Sequence, residues 1–410
     1  MPEKAKSMRM ARNERRRKIL KSPDRRLRIV ARLKRILGII LVAVSVITIT
    51  LNSSKLSANT VSEIIGYFWA GIDDASVGTH IDYETQNSSI VKPFNQGVVV
   101  ADNDMMSINT AGGVRLKTSL GYTSPAVICS DRYVLAYDKN GYQAVLTSNV
   151  AEASRQKTDA SILSATVGML GDYALITNES GYKSAVTVYT SGGKQRFKWA
   201  SPDYYFLSCA ISPDGTTLAV TSFGSTKDAT LEGKLFLRDL SNKNSIKEVS
   251  LGTALPLTVG FLDNSAVAVI GDYTTKVINK KGDIVDELNY TSDDLIAFCF
   301  GGNELALAVR SYSGTAKAEI YTINSRGVDK NTLQISQEIK AIDYDGARIA
   351  VLTSSGLTVY NTSMHALWEN QSAVGAGSIK LTDDGGVWLI YSKQADYVSI
   401  SSDTSKDLKS

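Results

Sequence analysis

The sequence predicts an all-β protein, a β-propeller of eight blades preceded by one transmembrane α-helix. Three observations carry this reading. A turn between two apolar strands recurs along the chain with a period near 41 residues. The strand after each turn is apolar at successive positions, as a strand covered on both faces requires. The last repeat lacks a strand that a short segment upstream of the first repeat could supply.

The turn is clearest within residues 209–221, where Ser212-Pro213-Asp214-Gly215 separates two apolar runs. Proline presets one turn dihedral, aspartate bonds its own backbone, and glycine takes the left-handed conformation without strain. Corresponding turns lie at Asn95-Gln96-Gly97, Ser130-Asp131, Gly171-Asp172, Asp263-Asn264, Gly301-Gly302-Asn303, Asp345-Gly346 and Asp383-Asp384-Gly385-Gly386. Eight units therefore recur 35 to 49 residues apart.

Apolar runs follow these turns at 98–100, 133–137, 173–176, 218–220, 266–270, 305–309, 349–352 and 387–390. A third strand alternates polar with apolar, as at 185–189, 234–238 and 357–360, a pattern expected nearer an exposed rim. A second turn sets Asn three residues before Gly, in Asn109 and Gly112, Asn279 and Gly282, and Asn324 and Gly327. The glycine is expected to supply the positive φ of a hairpin turn. A more polar fourth strand comes next, for example at 195–199 or 283–288. Four strands in each period of roughly 40 to 45 residues are the signature of propeller blades.

Closure gives an internal check. The last unit offers strands near 378–381, 387–391 and 397–401 but no fourth, whereas His80-Ile81-Asp82-Tyr83 is unassigned. Joining the two would tie the ends of the ring and remove an exposed strand edge. Seven blades would follow only if the second unit, with its weak strand at 151–157, were irregular.

Charge divides the chain. Residues 1–35 hold 15 Lys or Arg against Glu3, Glu14 and Asp24, a net of +12, and the rest carries 30 basic and 38 acidic side chains, a net of −8. Residues 36–54 then run 19 positions without a charge. As a helix they would rise about 28 Å, close to the hydrocarbon thickness of a bilayer. The basic flank predicts a cytoplasmic N-terminus. Leu56 occupies a position where signal-peptide cleavage wants a small residue, so an uncleaved anchor is expected.

The expected organisation is a basic cytoplasmic tail (1–35), a transmembrane signal anchor (36–54), a juxtamembrane segment (55–76), an extracytoplasmic propeller (77–402) and a polar tail (403–410). The juxtamembrane segment opens on a capping box, Thr60-Val61-Ser62-Glu63, ahead of Ile64-Ile65-Gly66-Tyr67-Phe68-Trp69. The basic tail is expected to meet anionic lipid headgroups. Nucleic acid is disfavoured, because no aromatic residue in that tail could stack on bases.

The Ser212-Pro213-Asp214-Gly215 hairpin with Leu218-Ala219-Val220 resembles the repeats of WD40-like and TolB-like propellers. The Ser191-Gly192-Gly193-Lys194 turn leading to Phe197 and Trp199 is similar to quinoprotein-like repeats. Over residues 77–402 the layout resembles membrane-anchored propeller proteins of unknown function from Gram-positive bacteria. The resemblance implies a fold rather than an activity. No Trp-Asp dipeptide ends the strands, and the tryptophan pattern of quinoprotein blades occurs once, so it implies no bound quinone.

The residues themselves assemble no catalytic, cofactor or metal site. His80 and His365 are the only histidines, too few for a histidine-based metal or catalytic centre, and each reads as an ordinary strand or turn residue. Asp102-Asn103-Asp104, Asp343-Tyr344-Asp345-Gly346 and Asp383-Asp384-Gly385 offer calcium-type oxygens but lack the acidic residue that completes an EF-hand loop, so they read as turns. Cys129, Cys209 and Cys299 fall in the first strands of units two, four and six, too far apart to pair, and read as buried thiols. The expectation is a non-catalytic binding or scaffold module for protein or envelope partners outside the cell membrane. The alternatives are a ligand sensor signalling across the membrane and, third, a quinoprotein-like envelope enzyme.

Overall fold

The computed structural model describes residues 80–400, apart from 87, 88, 95, 96, 226, 227, 229, 243–245 and 313. The predicted anchor at 36–54, its flanking segments and the tail at 403–410 lie outside the described residues. Among those described, no helix is long and apolar enough to cross a membrane.

The described strands form eight four-stranded antiparallel sheets, each built from consecutive strands except the last. Blade four illustrates the pattern. Its inner strand Tyr205–Ile211, second strand Thr217–Ser225, third strand Leu231–Asp239 and outer strand Ile246–Gly252 pair in sequence order. Blade two is complete as well, with Glu152–Lys157 as a regular outer strand, so eight blades stand rather than seven. Blade eight joins Ser378–Leu381, Gly386–Ile390 and Gln394–Ser399 to His80–Asp82, with His80 opposite Asp396 and Ile81 opposite Ala395. The ring closes as its missing strand predicts.

Why the second strands are apolar throughout is visible in the core. Eight hydrophobic clusters exist among the described residues, one at each junction between neighbouring blades. In the first blade, Val99 and Ala101 point into the junction with blade two, while Val98 and Val100 point into the junction with blade eight. Tyr173 and Leu175 of blade three likewise face blade two, and Ala174 and Ile176 face blade four. Each second strand thus feeds two cores at once, which an alternating sequence could not do.

The third strand at 357–360 alternates buried with part-exposed residues as expected, whereas another departs from that pattern. In Ser184–Tyr189 every residue but the last is buried, including Thr187. The alternation there reflects which neighbour is met, because the outer strand and the adjoining blade cover both faces. A detail of the second turns also differs. Gly282 and Gly327 have φ of +91° and +127°, but in the first blade the positive φ belongs to Gly113 and not to Gly112.

Candidate binding site in the axial channel

The inner strands surround the ring axis. At the end where inner strands turn into second strands, here called the turn face, they enclose a cavity of about 720 Å³ lined by blades one, two, six, seven and eight. Its one buried carboxylate among the lining residues is Asp343, only 4 % exposed, on the inner strand Ile339–Tyr344 of blade seven. One carboxylate oxygen accepts from the Lys380 ammonium at 3.1 Å and from the Cys299 thiol at 3.2 Å, and the other accepts from the Leu381 backbone N–H at 2.7 Å. A single side chain therefore ties together the inner strands of blades six, seven and eight.

The electrostatics follow from that geometry. Burial opposes the charge of Lys380, but the Asp343 carboxylate outweighs it and raises the lysine above its ordinary pKa. Burial, and then the charge of Asp343, pushes the Cys299 thiol up to about 12. Cys129, lining the same cavity from blade two, is pushed up to about 12 by burial, with Lys92 opposing. Both thiols stay protonated at neutral pH and are poor nucleophiles.

Two phenylalanines alternate with Cys299 on the inner strand of blade six and so lie on the opposite side of that strand from Asp343. Phe298 is 42 % exposed although it lies mid-strand in Leu295–Gly301. It packs edge-on against Phe300, with ring centroids 6.3 Å apart and planes at 76°. Phe300 fits because Gly260, on the inner strand of blade five, has no side chain: a Cβ there would lie 2.5 Å from the ring. At the rim, Asp131, Asp383 and Asp384 are exposed, as is Lys92 deeper along its strand.

The predicted residues are distributed otherwise. His80 sits in the closing strand, its ring bonded to Asp396 at 2.5 Å and Asp82 at 3.1 Å, which raise its pKa. His365 lies in a turn, its backbone N–H bonded to Asn361. Cys129, Cys209 and Cys299 are free thiols on the inner strands of blades two, four and six. Only Cys209 is fully buried; the other two are part-exposed on the cavity. Asp102 and Asp345 cap their own turns, bonding backbone N–H groups two and three residues on. Asp343, by contrast, belongs to the cavity and not to a turn. Among the described residues, no three His, Cys, Asp or Glu side chains converge closely enough to hold a metal ion.

Sequence reasoning missed Asp343, Lys380 and Phe298 as a group. The available signal was Asp343 and Lys380 among the apolar residues of two inner strands, Ile339–Tyr344, which also carries Lys340, and Ser378–Leu381. The opposite, loop face carries a second feature. Among the described residues, the exposed tyrosines Tyr142, Tyr182, Tyr205 and Tyr312 all lie there, in connections between second and third strands or at the start of an inner strand. The Lys183 ammonium stands 5.2 Å from the centroid of the Tyr205 ring.

Solved structures similar to this chain include the WD40 domain of Pan2 from Neurospora crassa, at 8% identity over 67% of this chain and 87% of that one, with a TM-score of 0.43. Hsv2 from Kluyveromyces lactis is similar at 13% identity over 69% of this chain and 98% of that one, with a TM-score of 0.43. The β-propeller domain of Cps50 (Swd1) from Myceliophteria thermophila is similar at 13% identity over 67% and 96%, with a TM-score of 0.45. No curated protein matches the sequence. The profile of a family of unknown function, DUF5711, matches residues 71–395, and the chain belongs to that family.

Proposed function

We propose that the chain is a single-pass, membrane-anchored propeller that acts outside the cytoplasmic membrane as a non-catalytic binding or scaffold module for a protein or envelope partner. The observation that carries the binding role is the gathering of Tyr142, Tyr182, Tyr205 and Tyr312 on one face of the ring. Tyrosine presents a large rigid apolar surface with a polar tip and is enriched where proteins meet. The uncharged run 36–54 and its basic flank support the anchor and the orientation. The cavity thiols, held protonated, and the sequestered Asp343 supply no activated nucleophile or base, which favours binding over catalysis.

The test is affinity capture from solubilised envelopes with the full chain, against a variant carrying Tyr142→Ala, Tyr182→Ala and Tyr205→Ala. A saturable partner retained by the native chain and lost by the variant is the expected result. Equal capture by both would overturn the assignment to this face.

A further inference from the structure

We propose that the axial cavity at the turn face is a binding site for an organic cation: a primary ammonium or guanidinium group carried on an apolar stem. Its occupant is independent of whatever the loop face holds.

The charges lining the cavity set the sign. Lys380 is committed to Asp343 at 3.1 Å, so this pair brings no net charge to a ligand. What remains is Lys92 against Asp131, Asp383 and Asp384. Asp384 is engaged in its own turn, accepting from the Thr382 hydroxyl, and keeps its negative charge. Carboxylates at the mouth of a low-dielectric cleft concentrate cations within it.

The wall sets the kind of cation. Phe298 offers an exposed ring in the channel, its edge held by Phe300, and an aromatic face attracts an ammonium or guanidinium group that has shed part of its water. A metal ion would need three or more ligands drawn together, and the described residues converge on no such point. A volume of about 720 Å³ suits a ligand with a stem as well as a head. Pro93, Ile128 and Phe300, part-exposed on the cavity, supply apolar lining for that stem.

Such a group could come from a free polyamine or from a lysine side chain of a peptide, and the experiment separates the two. Full-length protein in nonionic micelles is titrated calorimetrically with spermidine, with an acetylated pentapeptide bearing two lysines, and with glutarate as an anionic control. Binding of spermidine or of the peptide is expected, weakening with salt, and whichever binds more tightly identifies the source. Asp131→Asn with Asp383→Asn should weaken it about tenfold. Phe298→Ala should weaken it about threefold. Lys92→Ala should tighten it. Circular dichroism of each variant controls for folding, since all four side chains are exposed. The proposal fails if glutarate binds better than both cations, if neither cation binds at millimolar concentration, or if folded variants bind as the native chain does.

Discussion

Replacing Ile81 with alanine tests the closure of the ring by the one strand that comes from the far end of the sequence. Ile81 is 2 % exposed and packs among Val98, Val100, Trp388, Ile390 and Ala395. Truncating a buried isoleucine costs about 2 to 5 kcal/mol, depending on how far the surroundings relax. The strand is three residues long, and His80 and Asp82 on either side are exposed, so relaxation is easy and about 2.5 kcal/mol is expected. With a urea m-value of about 3 kcal/mol/M for a domain of this size, the midpoint should fall by about 0.8 M. The assay is urea unfolding of the full chain in nonionic micelles, followed by tryptophan fluorescence, with Trp388 as a buried reporter in the same cluster. His80→Ala is the control: its pairs with Asp396 and Asp82 are solvent-exposed, and no shift of the midpoint is expected. An unchanged midpoint for Ile81→Ala, or equal shifts for both variants, would refute the reasoning.

The thiols give a pH dependence. Cys129, Cys209 and Cys299 hold their protons to about 12 against an ordinary 9.0, so between those values the unfolded chain binds fewer protons than the folded one. Stability is therefore fully present below pH 9 and falls as pH rises towards 12, at about 1.4 kcal/mol per pH unit for each thiol. Urea midpoints at pH 8, 9 and 10 should decline, and substituting all three cysteines by alanine should flatten that part of the profile. At pH 8 a disulfide reagent should modify native Cys209 far more slowly than the unfolded thiol; equal rates would contradict its burial. Asp343→Ala should cost about 2 to 3 kcal/mol, because the Cys299 thiol and Leu381 N–H lose their acceptor while the part-exposed Lys380 can turn to water. Adding Lys380→Met should recover part of that loss in chemical denaturation, and a fully additive double variant would show that the two side chains do not interact.

The fold was legible because its determinants are local and repeated. The turn at Ser212-Pro213-Asp214-Gly215 is a property of four neighbouring residues, and Gly215 takes a φ of +68° as that turn requires. Runs such as Tyr173–Thr177 announced burial on both faces. The closing strand was legible by counting, since three strands in the last unit left one unpaired place. The cavity was not, because Phe298, Asp343 and Lys380 come from three different blades and line one space only when the ring closes. For the same reason, Cys129 and Cys299 looked like Cys209: flanking apolar residues describe the strand but not the empty axis beside it. The burial of Thr187 was equally hidden, as the sequence says nothing of the neighbour that covers it.

The bond between His80 and Asp396 spans 316 positions. A ribosome adding about 5 to 20 residues per second needs roughly 16 to 60 s to travel that far. Throughout that interval the strand His80–Asp82 has no partner of its own, and the nearly finished wheel stands open beside blade one. Any helper that shields nascent edges would be needed longest at this gap, and loss of the strand Gln394–Ser399 would leave the same gap permanent.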